Sequence, residues 1–407
     1  MNSALSHLTV LDLSRILAGP WAGQTLADLG ADVIKIERPG AGDDTRGWGP
    51  PFLRDGHGQD SSDAAYYLCA NRNKKSVTVD FTTPEGQAIV RDLARTADVV
   101  LENFKVGGLQ AYGLDYESLR GVNPKLIYCS ITGFGQTGPY AQRAGYDLLV
   151  QAMGGLMSIT GRSDDQDGAG PQKAGVAVTD ILTGLYAVIG ILAALSHRER
   201  TGVGQHIDIG LLDVQVACLA NQAMNYLISG KAPRRTGNAH PNLVPYQDFP
   251  TADGHMIIAV GNDAQFARAC AVLGLPDLAV DPRFLTNKAR VVNRLDLISR
   301  LSGATLTQPT RHWVAALEAV GVPAGPINTL DAVFDDPQVR ARNMQLELPH
   351  PVSGTVPLVA SPLRLSQTPV SYRSAPPLLG AQTREVLVER LGMSDADIER
   401  LRGHGVI

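Results

Sequence analysis

Residues 8–37 read LTVLDLSRILAGPWAGQTLADLGADVIKIE. LTVLDL (8–13) has the apolar character of a strand, PWAGQTLADLG (20–30) that of a helix, and ADVIKIE (31–37) that of a second strand. The alternation continues. SVTVDF (76–81) is followed by the helical PEGQAIVRDLARTA (84–97), then DVVLENF (98–104), LIYCSIT (126–132) and HIDIGLLD (206–213). Strands with near-continuous apolar character, separated by helices, predict a parallel sheet covered on both faces. The expected class is α/β, with a doubly wound, Rossmann-like large domain that binds ligands at the carboxyl ends of its strands.

A chain of 407 residues exceeds one compact core, so a second domain is expected. Residues 1–225 read as the large domain. Residues 226–325 read as a smaller α+β domain, with a strand pair in YQDFPTADGHMIIAV and then short helices. Residues 326–407 carry Pro-rich loops, the β-like SGTVPLVASPLRL and a closing helix, TREVLVERLG, and are expected to return to the large domain.

Hydrophobic content of 44% and charged content of 19% describe a soluble globular chain. A net charge of −4 speaks against a nucleic-acid partner. Cys69, Cys129, Cys218 and Cys270 are far apart and lack metal-ligand spacing, so no metal is signalled and a reducing compartment is expected. MNSALSHLTVLDLS has neither a basic nor a long apolar leader region, and a cytoplasmic location is expected.

The run GVAVTDILTGLYAVIGILAAL (175–195) reads as a buried helix. It opens on Asp180 and closes into SHRER, a poor pattern for a membrane span. Asp180 has two readings: a cap for unpaired backbone N–H groups, or a carboxylate nucleophile kept ionised by the helix N-terminus. GFGQTG (133–138) fits a dinucleotide fingerprint in spacing, but Pro139 follows at once where a helix should begin, which speaks against a nicotinamide enzyme. Three loops carry groups suited to an extended phosphate ligand: Arg38 and Arg46 in ERPGAGDDTRGWGP, the ANRNKKS segment with Arg72, Lys74 and Lys75, and Asn103 with Phe104 in ENFKVGG. All three are expected at the carboxyl ends of strands.

The chain resembles the class III CoA-transferases, the family of formyl-CoA transferase and carnitine CoA-transferase. The likeness runs through residues 8–52, NRNKKSVTVD, DVVLENF, ITGFGQTGPYAQRAGYD, GVAVTDILTGLYAVIGILAAL, TGVGQHIDIGLLD, GNAHPNLVPY, GVPAGPIN and APPLLGAQTREVL. The resemblance implies an interlocked homodimer, Asp180 as nucleophile, CoA as substrate with no permanently bound cofactor, and no membrane partner. It carries CoA contacts onto Arg15, Ile16, Leu17, Ala18, Arg38, Arg72, Asn73, Lys74, Lys75, Asn103 and Phe104. GYDLLVQAMGGLMSITG is similar to the subgroup that moves CoA from succinyl-CoA to a short dicarboxylate such as glutarate. Arg15, Arg46, Arg290 and Arg294 are then candidates for the second carboxylate, and Gly133, Gly135, Gly154 and Gly155 for close backbone approach. Arg15 and Leu17 replace the histidine and glutamine of formyl-CoA transferase, which speaks against formyl and oxalyl groups. Tyr146–Asp147 lacks the histidine of the racemases in the superfamily. Another acyl pair, such as carnitine or itaconate, and a CoA-binding protein without turnover remain alternatives.

Overall fold

The protein is described by a computed structural model over residues 3–407. Six strands form one wholly parallel sheet: β1 (Thr9–Asp12), β2 (Asp32–Glu37), β5 (Lys74–Thr78), β6 (Val99–Glu102), β7 (Ile127–Thr132) and β8 (His206–Gly210), with β3 (Phe52–Arg54) and β4 (Asp60–Ala64) as a separate antiparallel pair. The order across the sheet is β5-β2-β1-β6-β7-β8, so the direction of winding reverses between β1 and β6. The apolar runs arise because successive side chains enter different cores. Leu11, Ile34, Val77 and Val100 share one core with Ile89, Val90 and Leu93 and with the C-terminal Val386, Leu387, Ile398 and Leu401. Val10, Val33, Leu101, Ile127 and Ile131 share the other with Ala22, Leu26, Ala187, Ile191 and Ala194.

The covering helices used below are α1 (Ala18–Asp28), α2 (Pro84–Thr96), α3 (Asp147–Met153), α4 (Val178–Thr201) and α5 (Leu211–Ala217). Helix α2 starts where the sequence predicts: Thr83 accepts the Gly86 N–H and Pro84 fills a position with no intrahelical donor. Helix α4 is long and apolar enough to cross a membrane, yet it lies on the sheet through Thr183, Gly184, Ala187, Val188, Ile191, Ala194 and Leu195. Its opposite side leaves Leu185, Tyr186, Ile189 and Leu192 exposed. Gly184 is required where α4 meets α1, since a Cβ there would stand 2.6 Å from the Ala18 carbonyl oxygen.

The chain divides into two compact units. One holds the residues up to Gly155 with Ala174–Met224 and Gln338–Ile407, and the other holds Leu156–Lys173 and Asn225–Pro337. Residues 156–173, read from sequence with the large domain, group with the second unit, where Arg235 donates to the Arg162 and Ser158 carbonyls and Gly237 to that of Gly161. The second unit pairs β9 (Tyr246–Pro250) with β10 (His255–Ala259) and adds β11 (Ala324–Pro326), a strand too short for a sequence signal. Its core gathers Phe249, Phe266, Phe284, Leu297, Trp313 and Leu317. In the first unit, the SGTVPLVASPLRL patch supplies β13 (Gly354–Val359), antiparallel to β12 (Gln345–His350).

Candidate active site

The carboxyl ends of β1, β6 and β7 open onto a cleft of about 330 Å³ at the point where strand order reverses. Arg15, Ile16, Leu17 and Ala18 line it after β1; Asn103, Phe104 and Lys105 after β6; Gly133, Arg143, Gly145 and Tyr146 after β7. Asp180 lines it from the first turn of α4.

The β1 and β6 loops are tied together. Asn103 accepts the Arg15 N–H at 2.9 Å and donates to the Arg15 carbonyl at 2.7 Å. Its amide therefore joins the two loops through the Arg15 backbone. Between the loops Ile16 has φ 73°, a strained setting for a β-branched residue, and its N–H meets Asp43 at 3.2 Å. Asp43 in turn binds buried Lys35 at 2.9 Å. The Arg15 guanidinium pairs with Asp44 at 2.9 Å and lies 5.3 Å from the centre of the Phe104 ring. Phe104 meets Phe81 edge-on at 5.7 Å, and its N–H donates to Glu102, whose carboxyl burial pushes up to about 7.

GFGQTG has a packing role. A Cβ on Gly133 would lie 2.6 Å from the Gly145 Cα, so only paired glycines let the loop fold back on the end of β7. No helix intervenes between β7 and Asp147, which removes the dinucleotide reading. Gly133 lines the cleft, whereas the N–H groups of Gly135, Gly154 and Gly155 donate to Thr132, Val150 and Ala152.

Asp180 does not cap its helix. Ala177 is the N-cap residue, without a side-chain bond. The donors are taken by Asp147, whose Oδ1 accepts the Thr179 N–H at 2.9 Å and that of Asp180 at 3.4 Å. Gln151 donates to the other Asp147 oxygen at 2.6 Å, and the Thr179 hydroxyl donates to Gln215 at 2.7 Å. Burial first, and the Asp147 charge second, push the Asp180 carboxyl up to about 7. This corrects the expectation of a carboxylate kept ionised by the helix end: a neighbouring carboxylate occupies that end, and desolvation dominates. The half-buried Tyr66 phenol is pushed up to about 12, by burial and then by Asp180. Neither Asp147 nor Tyr66 carries a sequence pattern that assigns it here.

The ANRNKKS expectation is corrected. Strand β5 begins at Lys74, so Arg72, Asn73, Lys74 and Lys75 stand at its amino end and none lines the cleft, although the Lys74 ammonium reaches the end of β1 and the Pro20 carbonyl at 2.9 Å. Arg72 is buried on Asp28 at 2.6 Å, and Lys74 on Asp12 at 3.0 Å and Asn71 at 2.9 Å. Asn73 accepts the Arg373 and Ser374 N–H groups, and Lys75 pairs with Asp32 and Glu385. Arg46 is also internal: it binds Glu37 at 2.7 Å and Asp63 at 2.7 Å, with Tyr67 at 2.6 Å. Arg290 is buried on Asp263 and Arg294 donates to the His240 and Pro241 carbonyls. Arg38 is exposed beyond the end of β2, outside the cleft lining, with no ion pair among the described residues.

The family described as CoA-transferase family III matches residues 5–383, and the chain belongs to that family. Among relatives, the succinate–glutarate CoA-transferase of Agrobacterium fabrum is 57% identical over 95% of both chains. The succinyl-CoA:glutarate CoA-transferase of Mus musculus is 47% identical over 99% of this chain and 90% of its own. The crystal structure of a CAIB/BAIF family protein from Brucella suis is 54% identical, with a TM-score of 0.85 over 96% of this chain and 100% of that one.

Proposed function

We propose that this CoA-transferase moves CoA from succinyl-CoA to glutarate, with Asp180 as nucleophile. The observation that carries the reading is Asp180 itself: a buried carboxylate that caps nothing, facing a cleft at the carboxyl ends of the strands. The substrate pair is supported by the names of the relatives from Agrobacterium fabrum and Mus musculus.

In the first step the Asp180 carboxylate attacks the thioester carbonyl, the C–S bond breaks, and CoA thiolate leaves an aspartyl–succinyl anhydride. The thiolate then attacks the aspartyl carbonyl, releasing succinate and leaving an aspartyl-CoA thioester. Glutarate displaces the thiolate to form an aspartyl–glutaryl anhydride. Attack of the thiolate on the glutaryl carbonyl yields glutaryl-CoA and regenerates Asp180. A carboxylate is a weak nucleophile, so the rate depends on positioning, and the Asp147 clamp on the start of α4 supplies it. Each attack builds charge on a carbonyl oxygen, which backbone N–H donors stabilise. Gly133, which lines the same cleft as Asp180, would supply such a donor. Phe104 and the Arg15–Ala18 loop hold the CoA, and Arg38 and Lys105 meet its phosphates.

The reading extends to a Rossmann-like large domain with a smaller second domain and to an interlocked homodimer. The exposed apolar side of α4 supports the dimer, and four free thiols support a cytoplasmic setting. The test is a panel with succinyl-CoA as donor and glutarate, itaconate, acetate, carnitine and oxalate as acceptors. Glutarate should give the highest kcat/KM. Acetate or carnitine matching it would overturn the substrate pair and leave the transferase.

A further inference from the structure

We propose that Arg143 binds the second, non-reacting carboxylate of the substrate's acyl chain, for donor and acceptor in turn. The inference rests on the dicarboxylate reading above and identifies the residue that would set it. When the acyl carbonyl is joined to Asp180, a succinyl or glutaryl chain carries its free carboxylate only a few bonds away. That charge favours a cation beside it, and a guanidinium, here the exposed one of Arg143, meets a carboxylate with two parallel hydrogen bonds.

Three cations line the cleft: Arg15, Lys105 and Arg143. Arg15 already has Asp44 at 2.9 Å. Lys105 also lines a second cavity of about 250 Å³ with Glu102, Asp115 and Glu117, so carboxylates of the chain itself stand around it. Arg143 has no carboxylate partner among the described residues. Its guanidinium lies 4.5 Å from the centre of the Tyr140 ring and 5.3 Å from that of Phe134, so two aromatic faces hold it while its N–H groups remain for a ligand.

Arg143 lines the same cleft as Asp180, and the segment that carries it is anchored close by. Two residues later Gly145 packs on Gly133, and four residues later Asp147 holds the Thr179 and Asp180 amides. One short segment thus carries the free guanidinium at one end and the clamp on the reactive helix at the other. Because the two acyl groups occupy Asp180 one after the other, one arginine serves both.

The experiment compares glutarate with valerate, five-carbon acids that differ in the second carboxylate, using wild type, Arg143→Gln, Arg143→Lys and Lys105→Gln. Arg143→Gln should reduce the glutarate-over-valerate ratio of kcat/KM by about 10- to 100-fold, with CoA affinity by calorimetry within about twofold of wild type. Arg143→Lys should recover part of the ratio. Lys105→Gln should weaken CoA and leave the ratio unchanged. A wild type without preference for glutarate overturns the substrate reading itself. A wild type that prefers glutarate, with Arg143→Gln keeping that preference or losing CoA affinity instead, overturns the role of Arg143 alone.

Discussion

Asp147 accepts the backbone N–H of Asp180 at 3.4 Å, and of Thr179 at 2.9 Å, so one carboxylate takes the helix-end donors that would otherwise favour charge on the other. The second carboxyl rises to about 7, as burial and the Asp147 charge both favour its protonated form.

The first half-reaction needs Asp180 ionised. Its kcat/KM for succinyl-CoA should therefore climb with pH through about 7 and level off above. Removing the like charge with Asp147→Asn should move this limb to lower pH, because the Asp147 charge is the second cause of the raised value. A limb that stays in place in the variant would show that burial alone sets it.

The same shift makes a stability prediction of defined sign. The folded value lies above the ordinary 3.8, so the folded chain holds the proton more tightly than the unfolded one. The associated stability is intact below about 3.8 and is lost as pH rises to about 7. Asp180→Asn should raise Tm by a few degrees near pH 8, by less near pH 5, while abolishing transfer. A Tm gain independent of pH would contradict the assigned titration.

Cations at the two ends of the sheet should behave differently. Arg38→Glu, beyond the end of β2, should raise KM for acyl-CoA roughly tenfold or more. Lys75→Glu, at the amino end of β5 against Asp32 and Glu385, should leave that KM near wild type. Equal effects on KM would return the phosphates to the ANRNKKS segment.

Arg46 is a folding residue. Arg46→Met leaves the buried Glu37 and Asp63 without their partner, and should cost about 3–5 kcal/mol in urea unfolding. The fraction that folds should bind CoA normally, since Arg46 does not line the cleft.

The proposed dimer predicts a solution mass twice the 43.3 kDa of one chain by sedimentation, persisting on dilution. A monomer mass at assay concentration would contradict it.

The sheet was legible because strands buried on both faces read as apolar runs, as Val10 and Leu11 show by entering different cores. The Arg15–Ala18 and Asn103 loops were legible because each directly follows such a run. The error over Lys74 and Lys75 is one of position: strand β5 takes in both lysines, and their ladder with Val33 and Ile34 places them at its beginning. Asp147 reaches a helix 33 positions along the chain, a relation that no local pattern encodes. Tyr66 lies on the four-residue helix Ala65–Leu68, too short to show a periodic face. Arg143 carries no local signal, since what sets it apart is the lack of an ion pair among the described residues.

The most direct test of Asp180 as nucleophile is acid-quenched peptide mapping by mass spectrometry after mixing the enzyme with succinyl-CoA and no acceptor. The account predicts a CoA thioester on the peptide containing Asp180, converted to the hydroxamate by hydroxylamine and absent from Asp180→Asn. An adduct on another residue, or an adduct that survives Asp180→Asn, would contradict it.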